Sequence, residues 1–179
     1  MTADIAGCKT ALAHLDLDDN AKTVKQKSRD FFWYSPTLKA RLDHVTADFV
    51  VAPRSEAEVV EAVRAAFVHD VPVTTRGAGT GNYGQAMPLA GGLVLHMKHM
   101  AAVTEIGPGR VRAEAGAIMA EIDRECRTQT GQELRLHPST VNTASIGGFI
   151  AGGSGGVGSI RWGGLRDAGN ILSIRLVTC

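Results

Sequence analysis

The sequence has few cysteines, and none of them stands in a pattern that builds a cross-link or a metal site. The three cysteines are Cys8, Cys126 and Cys179, and no Cys-x-x-Cys pair occurs. Zinc sites usually contain such pairs, and a disulfide framework needs more cysteines than three, so both are disfavoured. A reducing, cytoplasmic location is expected, because disulfides persist in oxidising compartments.

Long hydrophobic runs and an excess of one charge are also missing. No stretch approaches the roughly 20 apolar residues of a membrane-spanning helix. Residues 1–15 lack the apolar core of a secretory signal peptide. The 19 basic and 18 acidic residues leave a formal net charge of +1. This balance disfavours a charge-driven nucleic-acid or membrane-surface partner, so a small-molecule ligand is the expected partner.

Glycine, in contrast, is in excess. The chain has 21 glycines in 179 residues, well above the usual ~7%. Six lie between Gly77 and Gly92, and ten lie between Gly147 and Gly169. Because glycine lets a backbone approach other groups closely, two dense patches between patterned segments indicate two binding loops.

Secondary structure is most clearly patterned from residue 48 onward. We predict a buried strand over 48–52, a helix from a Ser55–Glu58 capping box to about Asp70, and a strand over 71–75. The buried face of that helix is predicted to carry Val59, Val63, Ala66 and Phe67. The two strands should run parallel, as in a β-α-β unit.

Further elements are predicted on both sides of this unit. They are short helices over 5–15 and 36–42, a packed aromatic run over 31–34, a strand over 93–97, a hairpin over 102–115, a helix over 118–130 ended by Gly131, a long loop-rich stretch over 138–169 and a final strand over 171–178. The whole predicts an α+β fold, with a small parallel β-α-β lobe and a mixed, mostly antiparallel lobe. Residues 1–45 would be an N-terminal extension and 46–179 the main domain.

The first glycine patch matches a known pattern only in part. Residues 79–84 read GxGxxG, but the dinucleotide fingerprint also needs a helix directly after the loop. Pro88, Gly91 and Gly92 follow instead and lead to a strand. A P-loop is excluded, because no Gly-Lys-Ser/Thr occurs.

This loop can still hold a phosphate through its backbone. Successive amides in a tight glycine turn form a concave anion site. Thr80 and Asn82 add side-chain donors, and Arg76 adds a positive charge. A plain surface turn is the alternative interpretation.

The second patch, residues 138–156, also combines donors with small residues. Thr143 is predicted to cap a short helix through Ile150 and to aim free amides outward. Hydroxyl donors come from Ser139, Thr140 and Ser145. A flexible linker is the alternative, but its apolar residues argue against it: Ile146, Phe149, Ile150 and Val157.

Together the two patches resemble the vanillyl-alcohol oxidase, or PCMH-type, family of FAD-binding proteins. Arg76-Gly-Ala-Gly-Thr-Gly followed by Gly84 resembles the diphosphate loop of that family, and Pro138-Ser-Thr with Ser145-Ile-Gly-Gly-Phe-Ile-Ala resembles its second FAD segment. Arg161-Trp-Gly, Arg166-Asp167 and the stretch from Ile171 to Val177 look like the end of the same region. The resemblance covers about residues 46–179 and is nearest to the glycolate oxidase and D-lactate dehydrogenase branch.

The resemblance implies a set of FAD contacts. They are Arg76, Gly77, Ala78, Gly79, Thr80, Gly81, Asn82, Gly84, Pro138, Ser139, Thr140, Thr143, Ser145, Ile146, Gly147, Gly148, Ile150 and, toward the adenine through its backbone, Val177. Some relatives attach FAD covalently through a histidine in the first loop. Thr80 stands at that place, and no histidine or cysteine occurs over 76–85. The cofactor is therefore expected to be FAD held non-covalently, between the two lobes.

The implied activity is oxidation of a 2-hydroxy acid or a similar alcohol by hydride transfer to flavin N5. Family enzymes continue into a substrate-binding domain, so a further domain or a partner chain is expected, and no catalytic residue is assigned. One alternative is an NADPH-dependent enzyme of the UDP-N-acetylenolpyruvoylglucosamine reductase type. Others are a non-catalytic flavin-binding module that needs a partner chain, and a plain glycine-rich structural domain.

A few polar residues outside the loops also need an interpretation. His96 and His99 resemble a metal pair, but a spacing of three puts them on opposite faces of a strand. His137 precedes the second patch and is either a flavin contact or a structural histidine. Arg161 and Arg166 suit a substrate carboxylate, with phosphate binding or internal pairing as the alternative.

Overall fold

The computed structural model describes residues 2–153, 155–167 and 169–178. These residues divide into two units. The first unit runs to His99 and also includes Val177 and Thr178, and the second unit is Met100–Leu176. None of the described helices is long and apolar enough to cross a lipid bilayer.

The first unit is built around a four-stranded sheet. Its elements are α1 (Ile5–Ala11), β1 (Leu17–Asp18), α2 (Ala21–Lys27), α3 (Pro36–Leu42), β2 (Phe49–Val51), α4 (Glu56–Val68), β3 (Val73–Arg76) and β4 (Leu93–His96). Single 3-10 turns occur at Phe32–Tyr34 and Met97–His99. The strand order is β1-β2-β4-β3, with β2 and β3 both parallel to β4 and β1 antiparallel to β2.

The predicted parallel direction of the first two long strands is confirmed, but β4 lies between them. All four residues of β4 are buried, and its first three are Leu, Val and Leu. A strand that is apolar on both faces suits the centre of a parallel sheet. The sequence therefore places its most continuous apolar strand in the middle.

Helix α4 begins as predicted. The Ser55 hydroxyl accepts a hydrogen bond from the Glu58 amide at 3.2 Å, and the Glu58 carboxylate accepts one from the Arg54 amide at 2.8 Å. The predicted buried face is wrong at Phe67, which is 72% exposed. The stripe that faces inward is Val59, Ala62 and Ala66, whose small alanines allow close packing on the sheet.

The N-terminal region is more ordered than the sequence indicated. Helix α3 is confirmed, with the Ser35 hydroxyl accepting from the Leu38 amide, whereas α2 and β1 were not predicted. The expectation of a packed aromatic run is correct only for Phe32, which is fully buried. The other three aromatics of 31–34 are exposed, because the three residues per turn of a 3-10 helix point successive side chains in different directions.

The second unit contains the predicted hairpin and helix. Its elements are β5 (Val103–Gly107), β6 (Arg110–Ala113), α5 (Met119–Thr130), α6 (Ile146–Gly152) and α7 (Ser159–Trp162). The strands β5 and β6 pair antiparallel, and α5 ends at Gly131 in the left-handed conformation with φ 69°. A core of Met119, Leu136, Ala144, Phe149 and Leu165 packs beneath α6.

The predicted final strand is wrong. Residues 171–178 join no ladder with any described strand. Leu172, Ile174 and Leu176 are all exposed. Alternating apolar residues form a strand only when a neighbouring strand takes up their backbone hydrogen bonds.

Candidate functional site

The first glycine patch is the connection between β3 and β4. Parallel neighbours need a long crossover, which is usually a helix, but residues 77–92 make this one without any helix. Gly79 and Gly84 have φ of 73° and 81°, which other residues rarely adopt. The loop ends firmly at Gly92, whose amide donates to the Asp48 carboxylate at 2.7 Å.

Arg76 supports this loop from inside the first unit. Its guanidinium is buried, and Nη1 donates to the carbonyl oxygens of Lys27 at 3.0 Å and Arg29 at 2.6 Å. A Cβ on Gly79 would overlap the same guanidinium. The loop therefore depends on a glycine that lies directly on the Arg76 side chain.

Asp30 and Phe31 hold the other side of the loop. The Phe31 amide donates to the Gly81 carbonyl at 2.8 Å. Asp30 is buried; its Oδ1 accepts from the Phe32 amide at 2.8 Å, and its Oδ2 lies 3.3 Å from where a Cβ of Gly81 would be. Sequence reasoning missed this segment, because no local pattern links residues 27–31 to a loop about 50 positions away.

Two buried atoms at this place lack a protein partner. Across the described part of the chain, Asp30 Oδ2 and Arg76 Nε are the buried side-chain polar atoms with no hydrogen bond. Buried polar groups are almost always satisfied in folded proteins. Beneath the loop, one carboxylate oxygen and one guanidinium nitrogen are therefore left without a hydrogen-bond partner.

The carboxyl ends of β3 and β4 carry a concentration of positive charge. Burial first, and then Lys27, Arg76, Lys98 and His99, lower the pKa of His96 to about 4. Burial, with Arg76 and Lys98, also lowers the pKa of Lys27. Burial lowers the pKa of Arg76, and only Asp30 opposes that shift. Cations that repel one another in this way create a local field that favours an anion.

The loop that follows Arg76 offers free donors. From Ala78 to Asn82, no amide donates a hydrogen bond to any residue that the structure describes. Thr80 is half-buried and Asn82 is exposed. Successive unpaired amides next to positive side chains are the donor set that a phosphate requires. The residues of this loop therefore fit a diphosphate.

In the second unit, the predicted helix cap is wrong. Ser145, and not Thr143, is the N-cap of α6. The first amides of α6 are already paired: Ile146 with the Ala117 carbonyl at 2.9 Å, Gly147 with the Ala115 carbonyl at 2.9 Å, and Gly148 with the Ser145 hydroxyl at 3.4 Å. An isolated antiparallel β-bridge between Ile118 and Ser145 holds the start of α6 against the residues that precede α5. These amides are thus not free for a ligand.

Several glycines of the second patch are required by packing within the unit. A Cβ on Gly147 would lie 2.7 Å from the Ala115 carbonyl oxygen, and one on Gly156 would lie 2.5 Å from the His137 carbonyl oxygen. A Cβ on Gly158 would overlap the Arg135 carbonyl. Gly148 is exposed, so it keeps a face that a ligand can reach. Some glycines of the second patch therefore serve packing within the unit, and their number does not measure the size of a binding site.

The other residues expected at this segment lie at or near the surface. The hydroxyl-bearing Ser139, Thr140 and Thr143 form an exposed turn, in which the Thr143 hydroxyl donates to the Thr140 carbonyl at 3.2 Å. Half-buried positions are Pro138, Ile146 and Ile150, whereas Val177 is 36% exposed.

The remaining candidates have partners of their own. The His137 backbone bridges to Val157, and the guanidinium of Arg161 lies 4.9 Å from the centre of the Trp162 ring. His96 and His99 do not share a strand as expected, because β4 ends at His96. The Nε2 atom of His99 lies 2.7 Å from Oδ2 of Asp16. No cluster of three potential metal ligands occurs among the described residues.

Known proteins resemble this chain both in sequence and in fold. The chain is 34% identical over 122 residues to the glycolate oxidase subunit GlcD of Bacillus subtilis, covering 67% of this chain and 26% of that protein. It is 33% identical over 164 residues to the D-lactate dehydrogenase of Archaeoglobus fulgidus, covering 90% of this chain and 36% of that protein. The chain thus spans about a quarter to a third of the length of these curated relatives.

A solved structure, alkyldihydroxyacetonephosphate synthase, has the same fold, with a TM-score of 0.76 and 20% identity over 89% of this chain and 30% of that one. The FAD binding domain family matches residues 47–179. A match of that extent covers both glycine patches and every strand from β2 to β6. The chain therefore belongs to the FAD binding domain family, of the PCMH type that its two glycine-rich segments resemble.

Proposed function

We propose that this chain holds FAD non-covalently and is the FAD-binding portion of an oxidoreductase that oxidises a 2-hydroxy acid. The observation that carries the proposal is the row of unpaired amides from Ala78 to Asn82, next to the guanidinium of Arg76. The names of two relatives, a glycolate oxidase subunit and a D-lactate dehydrogenase, support the substrate class. Non-covalent binding is supported by the absence of histidine and cysteine over 76–85.

The first loop has the larger part in binding. The amides of residues 78–82 and the Thr80 hydroxyl would donate to the diphosphate, and Gly84 lets the loop turn with φ 81°. Arg76 acts from beneath the loop, because its Nη1 is committed to the carbonyls of Lys27 and Arg29. The residues proposed to contact the cofactor from the second unit are Pro138, Ser139, Thr140, Thr143, Ser145, Ile146, Gly147, Gly148 and Ile150, and Val177 is proposed for the adenine.

The chain contributes positioning and charge to the reaction. When bound, FAD supplies the hydride acceptor, at N5 of its flavin ring. Arg76, beneath the loop, would offset part of the charge of the diphosphate, and the contacts of Asp30 and Phe31 with residues around Gly81 fix the loop. No residue of this chain is assigned the role of base for the substrate hydroxyl.

We also propose that residues 46–179 form the FAD-binding domain and that residues 1–45 are an N-terminal extension. The family match over 47–179 supports this boundary. The extension nevertheless supports the loop, through the carbonyls of Lys27 and Arg29. Its removal is therefore expected to weaken FAD binding.

The binding proposal is tested on the purified protein incubated with FAD and then freed of excess cofactor. A flavin spectrum that moves to the supernatant after acid precipitation is the expected result. Colour that stays in the pellet would contradict non-covalent binding, and a colourless protein with no calorimetric FAD signal would overturn the proposal. Thr80→Val should weaken FAD binding, whereas Thr104→Val, whose hydroxyl donates to the Arg112 carbonyl in the hairpin, should not.

The substrate proposal is tested by anaerobic reduction of the bound flavin. We expect bleaching by D-lactate or glycolate. Bleaching by NADPH alone would favour an enzyme of the UDP-N-acetylenolpyruvoylglucosamine reductase type. If 2-hydroxy acids reduce the bound flavin only after another polypeptide is added, the chain is a binding module with a partner chain. This experiment is included because the chain spans only about a quarter to a third of its relatives' length.

For location, we propose the cytoplasm. The two described cysteines, Cys8 and Cys126, are free and buried, as is usual for a protein kept in a reducing compartment. Fractionation of cells that express the tagged full-length protein tests this, and recovery with the envelope fraction would contradict it.

A further inference from the structure

Three exposed aromatic rings form one surface on the first unit. Phe31, Trp33 and Tyr34, the aromatic trio, are 40%, 44% and 66% exposed. The ring centroids of Trp33 and Tyr34 are 4.1 Å apart, and that of Phe31 lies 5.9 Å from Tyr34. Large rings that contact one another at the surface leave apolar faces in water, which is a feature of binding sites.

The aromatic trio is adjacent to the first glycine loop. The Phe31 amide donates to the Gly81 carbonyl at 2.8 Å. The residue before it, Asp30, lies under Gly81, and Leu42 at the end of α3 lies 2.9 Å from where a Cβ of Gly84 would be. Contacts on both sides of the trio therefore fix the segment that carries it beside the loop.

The same segment is held rigidly from below. Phe32 is fully buried, and the Arg29 guanidinium lies 5.0 Å from the centre of its ring. The Ser35 hydroxyl caps α3 immediately after the trio. Rings fixed in advance lose little conformational freedom when a ligand stacks on them, which favours binding.

We propose that the aromatic trio stacks on a planar ring of the dinucleotide whose diphosphate the adjacent loop holds. The inference rests on the proposed function, because the phosphate fixes the ligand at this loop. The adenine and the flavin ring are each joined to the diphosphate through a single sugar-derived linker, and both present an aromatic face on which Trp33 and Tyr34 can stack. The sequence predicts packing for this aromatic run.

The test measures calorimetric Kd values of Trp33→Ala for FAD, ADP and FMN. Loss of one stacked ring should weaken FAD binding about 5- to 150-fold. A matching loss for ADP with FMN unchanged assigns the adenine, and the reverse assigns the flavin; both results support the proposal. Phe67→Ala removes another exposed aromatic, on α4, and should leave all three Kd values unchanged.

A second variant separates stacking from general damage. Trp33→Phe keeps a ring and should restore most of the FAD affinity, and circular dichroism should show the same fold in all variants. If wild-type protein binds FAD and Trp33→Ala binds it equally well, the inference is overturned while the proposed function stands. Unchanged FAD binding with a shift in oligomeric state would likewise overturn it, in favour of contact with a second copy. If the wild type binds no FAD, both fail.

Discussion

Gly147 illustrates a constraint that a single residue places on the second unit. A Cβ there would lie 2.7 Å from the Ala115 carbonyl oxygen and 2.8 Å from the Ala115 Cβ, and backbone atoms cannot move aside easily. Gly147→Ala is expected to lower the free energy of unfolding by about 1–3 kcal/mol. Urea unfolding followed by circular dichroism measures this change.

The matched control for this prediction is Gly152→Ala, in the same helix. No heavy atom lies within 4 Å of a Cβ at that position, and alanine favours helix over glycine by up to about 1 kcal/mol. Gly152→Ala should therefore be neutral or slightly stabilising. Equal losses at both positions would contradict the packing argument.

His96 predicts a dependence of stability on pH. Burial, reinforced by Lys27, Arg76, Lys98 and His99, lowers its pKa from 6.5 to about 4. Between these values the unfolded chain binds a proton that the folded chain does not. The free energy of unfolding should therefore fall by about 3 kcal/mol as the pH is lowered from 6.5 through 4, and this group adds nothing further once His96 is protonated in both states.

The measurement for His96 is urea unfolding at several pH values. His96→Leu removes the titrating group and should flatten the curve over that interval, while titration of the carboxylates is common to both proteins. A variant with the same slope as the wild type between pH 6.5 and 4 would show that His96 is not its source.

Among the elements, α4 depends on its first turn. The Ser55 hydroxyl accepts from the Glu58 amide, which would otherwise lack a partner at the helix start. Ser55→Ala should cost about 1 kcal/mol of unfolding free energy, and Ser55→Asn, which keeps an accepting oxygen, should cost much less. Thermal unfolding compares the two, and similar losses would mean that the cap contributes little.

Elements with local signals could be predicted from the sequence, and those that depend on distant partners could not. The capping serine and apolar spacing specify α4, and Gly107-Pro108-Gly109 specifies the hairpin. The expected strand over 171–178 had a suitable alternation but joins no ladder. The same applies to the candidate site: the loop over 76–84 was evident from its glycines, whereas its seat at Asp30 and Phe31 depends on tertiary contacts alone.

At the scale of the whole molecule, one buried cysteine lies in each unit among the residues that the structure describes. Cys8 lies in the first unit and Cys126 in the second, and burial raises the pKa of each thiol. A thiol reagent therefore reacts only when the surrounding structure opens. In the Cys126→Ser, Cys179→Ser protein, FAD at 100 times its Kd should slow the Cys8 reaction about 100-fold, if opening requires release of the ligand.

The rate of Cys8 modification with Ellman's reagent measures this protection. Riboflavin, which lacks the diphosphate, is the control ligand and should give little protection. Equal rates with and without FAD would mean that Cys8 becomes exposed while the first loop stays intact.

The strand order also has a consequence for biosynthesis. Because β4 lies between β2 and β3, these two earlier strands form no hydrogen bonds to each other. They can pair only with β4, which begins after the 16 residues that follow β3. The stretch that delivers β4 is the glycine loop itself. A nascent chain therefore cannot complete this loop, or bind a cofactor on it, before β4 has been made and has paired with β2 and β3.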